Sequence, residues 1–205
     1  MRFKDRHEAA SRIIPLLAAY QDEDAVVLAV PRGGVPLGID IAKAYHFPLG
    51  LLLIKKIGFP GNPELAIGAV SLEHEVIDPR FDIDQNYIAA EVDKIRASLR
   101  ERHKKFLGDR PVPAIEGKTV IIVDDGIATG NTMMVGIEMI KRQKPTAIVV
   151  AVPVAPQRTV NAMQKLVDDF FCVYIPDEFY GVGEFYDDFS QVTDDEVIRL
   201  LKSAG

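Results

Sequence analysis

Residues 120–133 read VIIVDDGIATGNTM: two adjacent carboxylates directly follow a run of β-branched residues, and a loop of hydroxyl, amide and glycine groups comes next. Asp124 and Asp125 sit where such a strand would end. Two carboxylates there can accept hydrogen bonds from the vicinal hydroxyls of a sugar or face a hydrated cation such as Mg²⁺. From Thr129 to Thr132 the backbone is expected to turn into a helix with its first amide groups unpaired. Gly130 permits close approach, and Thr129 and Thr132 add hydroxyl donors, so the loop is a nest for an anion of the phosphate monoester kind. Acids for a diol and a nest for a phosphate, only three residues apart, together describe a binding site for a ribose 5-phosphate. A Walker loop is excluded because Asn131 stands where the lysine of that pattern belongs. An aspartyl-phosphate phosphatase is disfavoured because Gly126, not a second acid, lies two positions after Asp124.

A second motif, PRGG at residues 31–34, also follows an apolar stretch, Asp24 through Val30, and leads into VPLGIDIAKAY, which suits a packed helix. The elements that must carry these loops alternate. Residues 5–20 have apolar positions at helical spacing. LGLLLI (49–54) reads as a second buried strand, and AIGAV and EVID as shorter ones. A long amphipathic helix is expected over 84–107, with Ile88, Val92, Ile95, Leu99 and Phe106 as its stripe. Strand 118–124, helix 131–143, strand 146–153, helix 156–167 and strand 169–175 follow without interruption. Uncharged strands such as TVIIV and AIVVAV flanked by helices imply a mainly parallel sheet covered on both faces, an α/β fold whose ligands bind beyond the carboxyl ends of the strands.

Composition narrows the classes. The chain has 205 residues, 48% apolar content and a formal charge of −6, which suits one domain spanning 1–205 and argues against wholesale wrapping of nucleic acid. Cys172, the single cysteine, excludes an internal disulfide. The apolar runs are short and broken by Pro or Gly, so no membrane span is expected, and the amino terminus lacks the apolar core of a signal peptide. A cytoplasmic protein is the expectation.

VIIVDDGIATGNT closely resembles the PRPP-binding signature of the type I phosphoribosyltransferases: hydrophobic residues, two acids and a T-G-x-T loop. The resemblance implies that fold, with a core over about 20–175, a small carboxyl-terminal hood over about 175–195 and the 84–107 helix as an insertion. It implies a Mg²⁺-dependent transfer of phosphoribosyl from PRPP, with the ion bound mainly through PRPP beside Asp124 and Asp125, and a homodimer is compatible with it. Carried over residue by residue, Asp124 and Asp125 would bind the ribose hydroxyls, and Gly126 and the run Ala128, Thr129, Gly130, Asn131 and Thr132 the 5-phosphate. VLAVPRGGVPLG is similar to the pyrophosphate loop, with Arg32 and the amides of Gly33 and Gly34 meeting diphosphate oxygens. IKKIGFPGNPELAIGAVSLEHE is similar to the mobile catalytic loop and its flanks in the adenine branch. There Lys55 and Lys56 would end a strand beside the pyrophosphate, and Glu73 would lie near the reacting nitrogen.

One position departs from the pattern of 6-oxopurine enzymes, which usually place an aspartate immediately before T-G. Here that residue is Ala128, which disfavours hypoxanthine, guanine and xanthine as acceptors. In the hood segment IPDEFYGVGEFYDDFSQVTDDE, Phe185 and Tyr186 are the candidates for stacking on a flat acceptor. The acceptor is expected to be a nucleobase or similar nitrogen heterocycle. The alternative is a PRPP-sensing regulator that binds the ligand and dispenses with catalysis.

Overall fold

The computed structural model describes residues 1–203. Strands β1 (Ala25–Ala29), β2 (Leu49–Leu51), β6 (Thr119–Val123), β7 (Ala147–Val154) and β8 (Asp169–Tyr174) form a five-stranded parallel sheet in the order β2-β1-β6-β7-β8. Each residue of β1 and β6 is buried. Alternate side chains therefore serve two cores. Val27, Ala29, Ile121 and Val123 face α1 (Arg6–Ile13) and α2 (Gly34–Tyr45), while Val26, Leu28, Val120 and Ile122 pack with α4 (Asn131–Lys141) and α5 (Gln157–Met163). This double coverage is the reason the strands carry no polar alternation. The mainly parallel, helix-flanked sheet read from the sequence is the one observed.

Three local expectations need correction. The helix expected over residues 5–20 is α-helical only to Ile13, because Pro15 has no amide to donate, and a 3-10 segment continues from Ile14 to Tyr20. The second strand stops at Leu51 instead of Ile54. Beyond it the chain forms a β-hairpin rather than an open loop. Its strands β3 (Lys55–Phe59) and β4 (Asn62–Val70) are joined by β5 (Glu75–Ile77) into a separate antiparallel sheet ordered β3-β4-β5. Pro60 and Gly61 link Phe59 to its partner Asn62, and Gly61 has φ +79, as the second central residue of a Pro-Gly turn requires.

The long helix α3 (Gln85–Leu107) agrees with the expected span to within a residue, and its apolar stripe is buried. Asp84 caps its start by accepting from the Asn86 amide at 2.8 Å, and Gly108, with φ +62, ends it. A final helix, α6 (Asp194–Ser203), packs against α2 and α3 and was not foreseen in the sequence. Among the described residues no helix is long and apolar enough to cross a membrane.

Candidate functional site

The loops after β1 and β6 emerge side by side, because those strands are paired in register from Ala25–Thr119 to Ala29–Val123. The Val30 amide donates to the Val123 carbonyl at 2.9 Å, which extends the pairing into the loops. Residues 31–34 then turn, with a cis peptide between Pro31 and Arg32, and α2 begins at Gly34. A Cβ on Gly33 would lie 2.1 Å from Asp125 Oδ2, and one on Gly34 2.6 Å from the Val123 carbonyl oxygen. The two glycines thus let the PRGG loop close against the acid pair. Side chains at these positions would hold the loops apart.

Asp124 is half-buried, and its Oδ1 accepts from the Asp125 amide at 2.9 Å. Burial, reinforced by the neighbouring Asp125 carboxylate, holds its carboxyl well above the usual range. Burial also raises Asp125, but Arg6 opposes the shift: its Nε and Nη2 reach Asp125 Oδ2 at 2.9 and 2.8 Å. Arg6 is itself fixed. It donates to the Ser190 carbonyl at 2.9 Å and lies 4.2 Å from the centroid of the Phe189 ring. Nothing in the local sequence marks this arginine, which stands 119 residues from its partner.

The phosphate loop is held from three sides. The Ile127 amide donates to the Val154 carbonyl at 3.0 Å, the Thr159 hydroxyl donates to the Ala128 carbonyl at 2.6 Å, and the Met134 amide donates to the Gly130 carbonyl at 2.8 Å. Gly130 adopts φ +77, a conformation that favours glycine, and a Cβ there would also displace the flexible tip of Met163, 2.3 Å away. Ala128, Thr129, Asn131 and Thr132 are exposed around it at the amino end of α4, where the first amides have no acceptor within the helix. Gly126, at φ +153, is wedged between Val154 and Val182, which ties the acid loop to the hood.

The remaining sequence candidates fall elsewhere. Lys55 and Lys56 do not end β2; they open β3, opposite Val70 and Ala69, and are exposed. Glu73 is exposed in the turn between β4 and β5, beside a narrow crevice shared with Met139 and Gln143 near the far end of α4. That end is roughly 13 Å along the helix from the phosphate loop. The crevice is therefore separate from the acid pair and the 128–132 loop. Phe185 and Tyr186 do not offer open faces. Phe185 stacks on Phe179 with centroids 5.5 Å apart, and Tyr186 packs on Phe3 and Phe189 at 5.4 and 4.9 Å. The Tyr186 hydroxyl donates to the Asp125 carbonyl at 2.7 Å, so this residue buttresses the acid loop. A hollow of about 460 Å³ does open on the same carboxyl edge, lined by Arg158, Ile175, Asp177 and Phe179 among others.

The parallel sheet thus gathers an acid pair and a glycine-bearing helix start at its carboxyl edge. Comparison with known proteins specifies the class. The family model for the phosphoribosyl transferase domain matches residues 3–190, and the chain belongs to that family. It is 33% identical over 207 residues to the Mycobacterium tuberculosis protein named "Putative phosphoribosyl transferase Rv0571c", an alignment covering 98% of this chain and 47% of the relative. The same figures hold for "Putative phosphoribosyl transferase MT0597" from another strain of that species. The chain spans about half the length of the curated relatives it matches. Among solved structures, TT1426 from Thermus thermophilus superposes with a TM-score of 0.89 at 36% identity, with both chains covered completely.

Proposed function

We propose that the protein transfers the 5-phosphoribosyl group of PRPP to a nitrogen acceptor and releases pyrophosphate. The observation that carries this reading is the closure of the PRGG loop onto the acid pair: Gly33 packs against Asp125, so groups suited to a diphosphate and groups suited to a ribose lie side by side. In the reaction the bond between the anomeric carbon and the pyrophosphate oxygen breaks, a bond to the acceptor nitrogen forms, and that nitrogen gives up its proton. The work asked of the chain is positioning and charge stabilisation. Gly130 and the amides that start α4 hold the 5-phosphate. Asp124 and Asp125 accept from the ribose hydroxyls. Arg32 and the Gly33 amide take up charge developing on the leaving group, whereas the Gly34 amide, expected to join them, donates to the Val30 carbonyl at 2.9 Å. The acceptor's place is the hollow beside Arg158 and Asp177.

The donor set suits Mg²⁺ only as a shared ion. Mg²⁺ keeps several waters and is usually held by one or two carboxylates plus substrate phosphates. Among the described residues no three potential ligands cluster, and Arg6 already engages Asp125. This fits an ion carried by PRPP, with Asp124 and Asp125 facing it. When bound it would neutralise charge growing on the diphosphate. The test is pyrophosphate release from PRPP and Mg²⁺ across a panel of nucleobases and related heterocycles, alongside calorimetry with PRPP. Release with one acceptor is expected. PRPP binding without release for any acceptor would favour a sensor, and absence of both would overturn the reading.

A further inference from the structure

Arg32 is not left facing solvent. Its Nη1 lies 3.3 Å from Asp194 Oδ1, and the other oxygen of that carboxylate accepts from Lys105 Nζ at 2.7 Å. Three elements meet here: the PRGG loop, the last turn of α3 and the first turn of α6. Two cations thus share one carboxylate. All three side chains keep a third to a half of their surface in solvent, 34% for Arg32 and Asp194 and 53% for Lys105. Ion pairs this exposed contribute little to stability and are easily exchanged. Asp194 is not needed to cap α6 either, because Thr193 does so, its hydroxyl accepting from the Glu196 amide at 3.2 Å.

We propose that Lys105 is a second cationic residue for the pyrophosphate group, acting with Arg32, and that Asp194 is a resident carboxylate occupying this anion site until pyrophosphate displaces it. The inference rests on the reading of Arg32 as a pyrophosphate ligand. A diphosphate offers more charge and more acceptor oxygens than one carboxylate, so exchange favours the ligand once it arrives. Lys105 holds the Asp194 carboxyl below the usual range, with Arg32 adding to the effect, so Asp194 enters the competition as an anion. The arrangement also gives the inserted helix a role in the site, since α3 ends beside the PRGG loop.

The test is calorimetry with inorganic pyrophosphate plus Mg²⁺, and separately with ribose 5-phosphate, on wild type, Lys105→Gln, Lys105→Arg, Asp194→Asn and Arg32→Gln. Removing the competitor in Asp194→Asn is expected to tighten pyrophosphate binding by about three- to tenfold, and Lys105→Gln to weaken it by about five- to twentyfold. Lys105→Arg keeps the charge and should stay close to wild type. Ribose 5-phosphate has no diphosphate and should bind all these proteins alike, which a general loosening of the fold would not allow. Equal changes for both ligands, weaker pyrophosphate binding by Asp194→Asn, or no effect of Lys105→Gln would each overturn the proposal. If wild type binds pyrophosphate and only Arg32→Gln changes its affinity, the proposed function stands and this inference falls. If wild type binds neither ligand, both fall.

Discussion

Replacing Arg6 with Met would keep most of the aliphatic stem and remove the charge that faces Asp125. Only 11% of the Arg6 side chain and 13% of the Asp125 side chain reach solvent, and a hydrogen bond from Nε and a 2.8 Å ion-pair contact from Nη2 join them, both at Oδ2. Breaking a buried pair by removing one partner typically costs about 3–5 kcal/mol, because the other charge is left uncompensated. Two features of the site reduce that figure. About a tenth of each side chain is already wet, and burial raises the Asp125 carboxyl, so it can take up a proton when the arginine is gone. Loss of the contact with Phe189 works the other way, by about 0.5–1 kcal/mol. A net cost of about 2–4 kcal/mol remains. At about 2–4 °C per kcal/mol for a chain of this size, Tm should fall by about 4–16 °C in a calorimetric or fluorescence melt. The double variant Arg6→Met/Asp125→Asn removes the orphaned charge along with its partner and should recover at least half of the loss. The coupling between the two sites should come to about 1–3 kcal/mol. A Tm within about 2 °C of wild type for Arg6→Met would refute the argument, and so would a double variant whose loss equals the sum of the singles.

Gly130→Val should abolish stabilisation by PRPP in a thermal shift assay, because a β-branched side chain is strained at φ +77 and would also displace the tip of Met163, 2.3 Å from a Cβ; a shift as large as wild type's would show that the loop is only a turn. With alanine at position 128, turnover of hypoxanthine, guanine and xanthine should be poor, since a general base is commonly worth about 10²–10⁴ in rate. Steady-state assays of wild type beside Ala128→Asp test this, and kcat/KM of about 10⁴ M⁻¹s⁻¹ or more for a 6-oxopurine with wild type would contradict it. Burial pushes the Cys172 thiol up to about 11, so at pH 8 its thiolate fraction falls to about one in a thousand, against about a quarter for a free cysteine. Alkylation by iodoacetamide should therefore be at least about a hundredfold slower in the native protein than in denaturant; comparable rates would show the thiol to be open.

The parallel sheet was legible because its strands are buried on both faces and so read as uncharged runs. The turn from strand end through the acid pair into a helix was legible because one contiguous stretch carries it. What the sequence hid depends on distance or on small residues. Arg6 reaches its partner across 119 positions, and no local pattern distinguishes it from a solvated helix residue. The β3–β4 hairpin is written in Lys, Gly and Pro, residues that signal loops, and its pairing becomes visible only in register. Phe185 and Tyr186, read as open faces for a flat acceptor, are buried. Aromatic side chains in a hood can face a ligand or the core, and here Phe3, Phe179 and Phe189 supply the core alternative. Asp194 opens the acidic run at 194–196, and no local pattern ties it to Arg32 or Lys105, 162 and 89 positions away.

The contact between the first residues and the hood sets a lower bound on the piece of chain that can work. Phe3 is fully buried; its amide donates to the Phe185 carbonyl at 2.7 Å and its carbonyl accepts from Asp187 at 2.8 Å, while Arg6, three residues on, neutralises Asp125. A version trimmed to residues 20–175 would keep the parallel sheet and both ligand loops, yet it would lose Arg6, the Tyr186 prop under Asp125 and the Val182 wall against Gly126. Engineering on this scaffold therefore has its freedom in the β3–β4 turn and along the outer face of α3. Residues 3–6 and 182–187, by contrast, brace the acid loop.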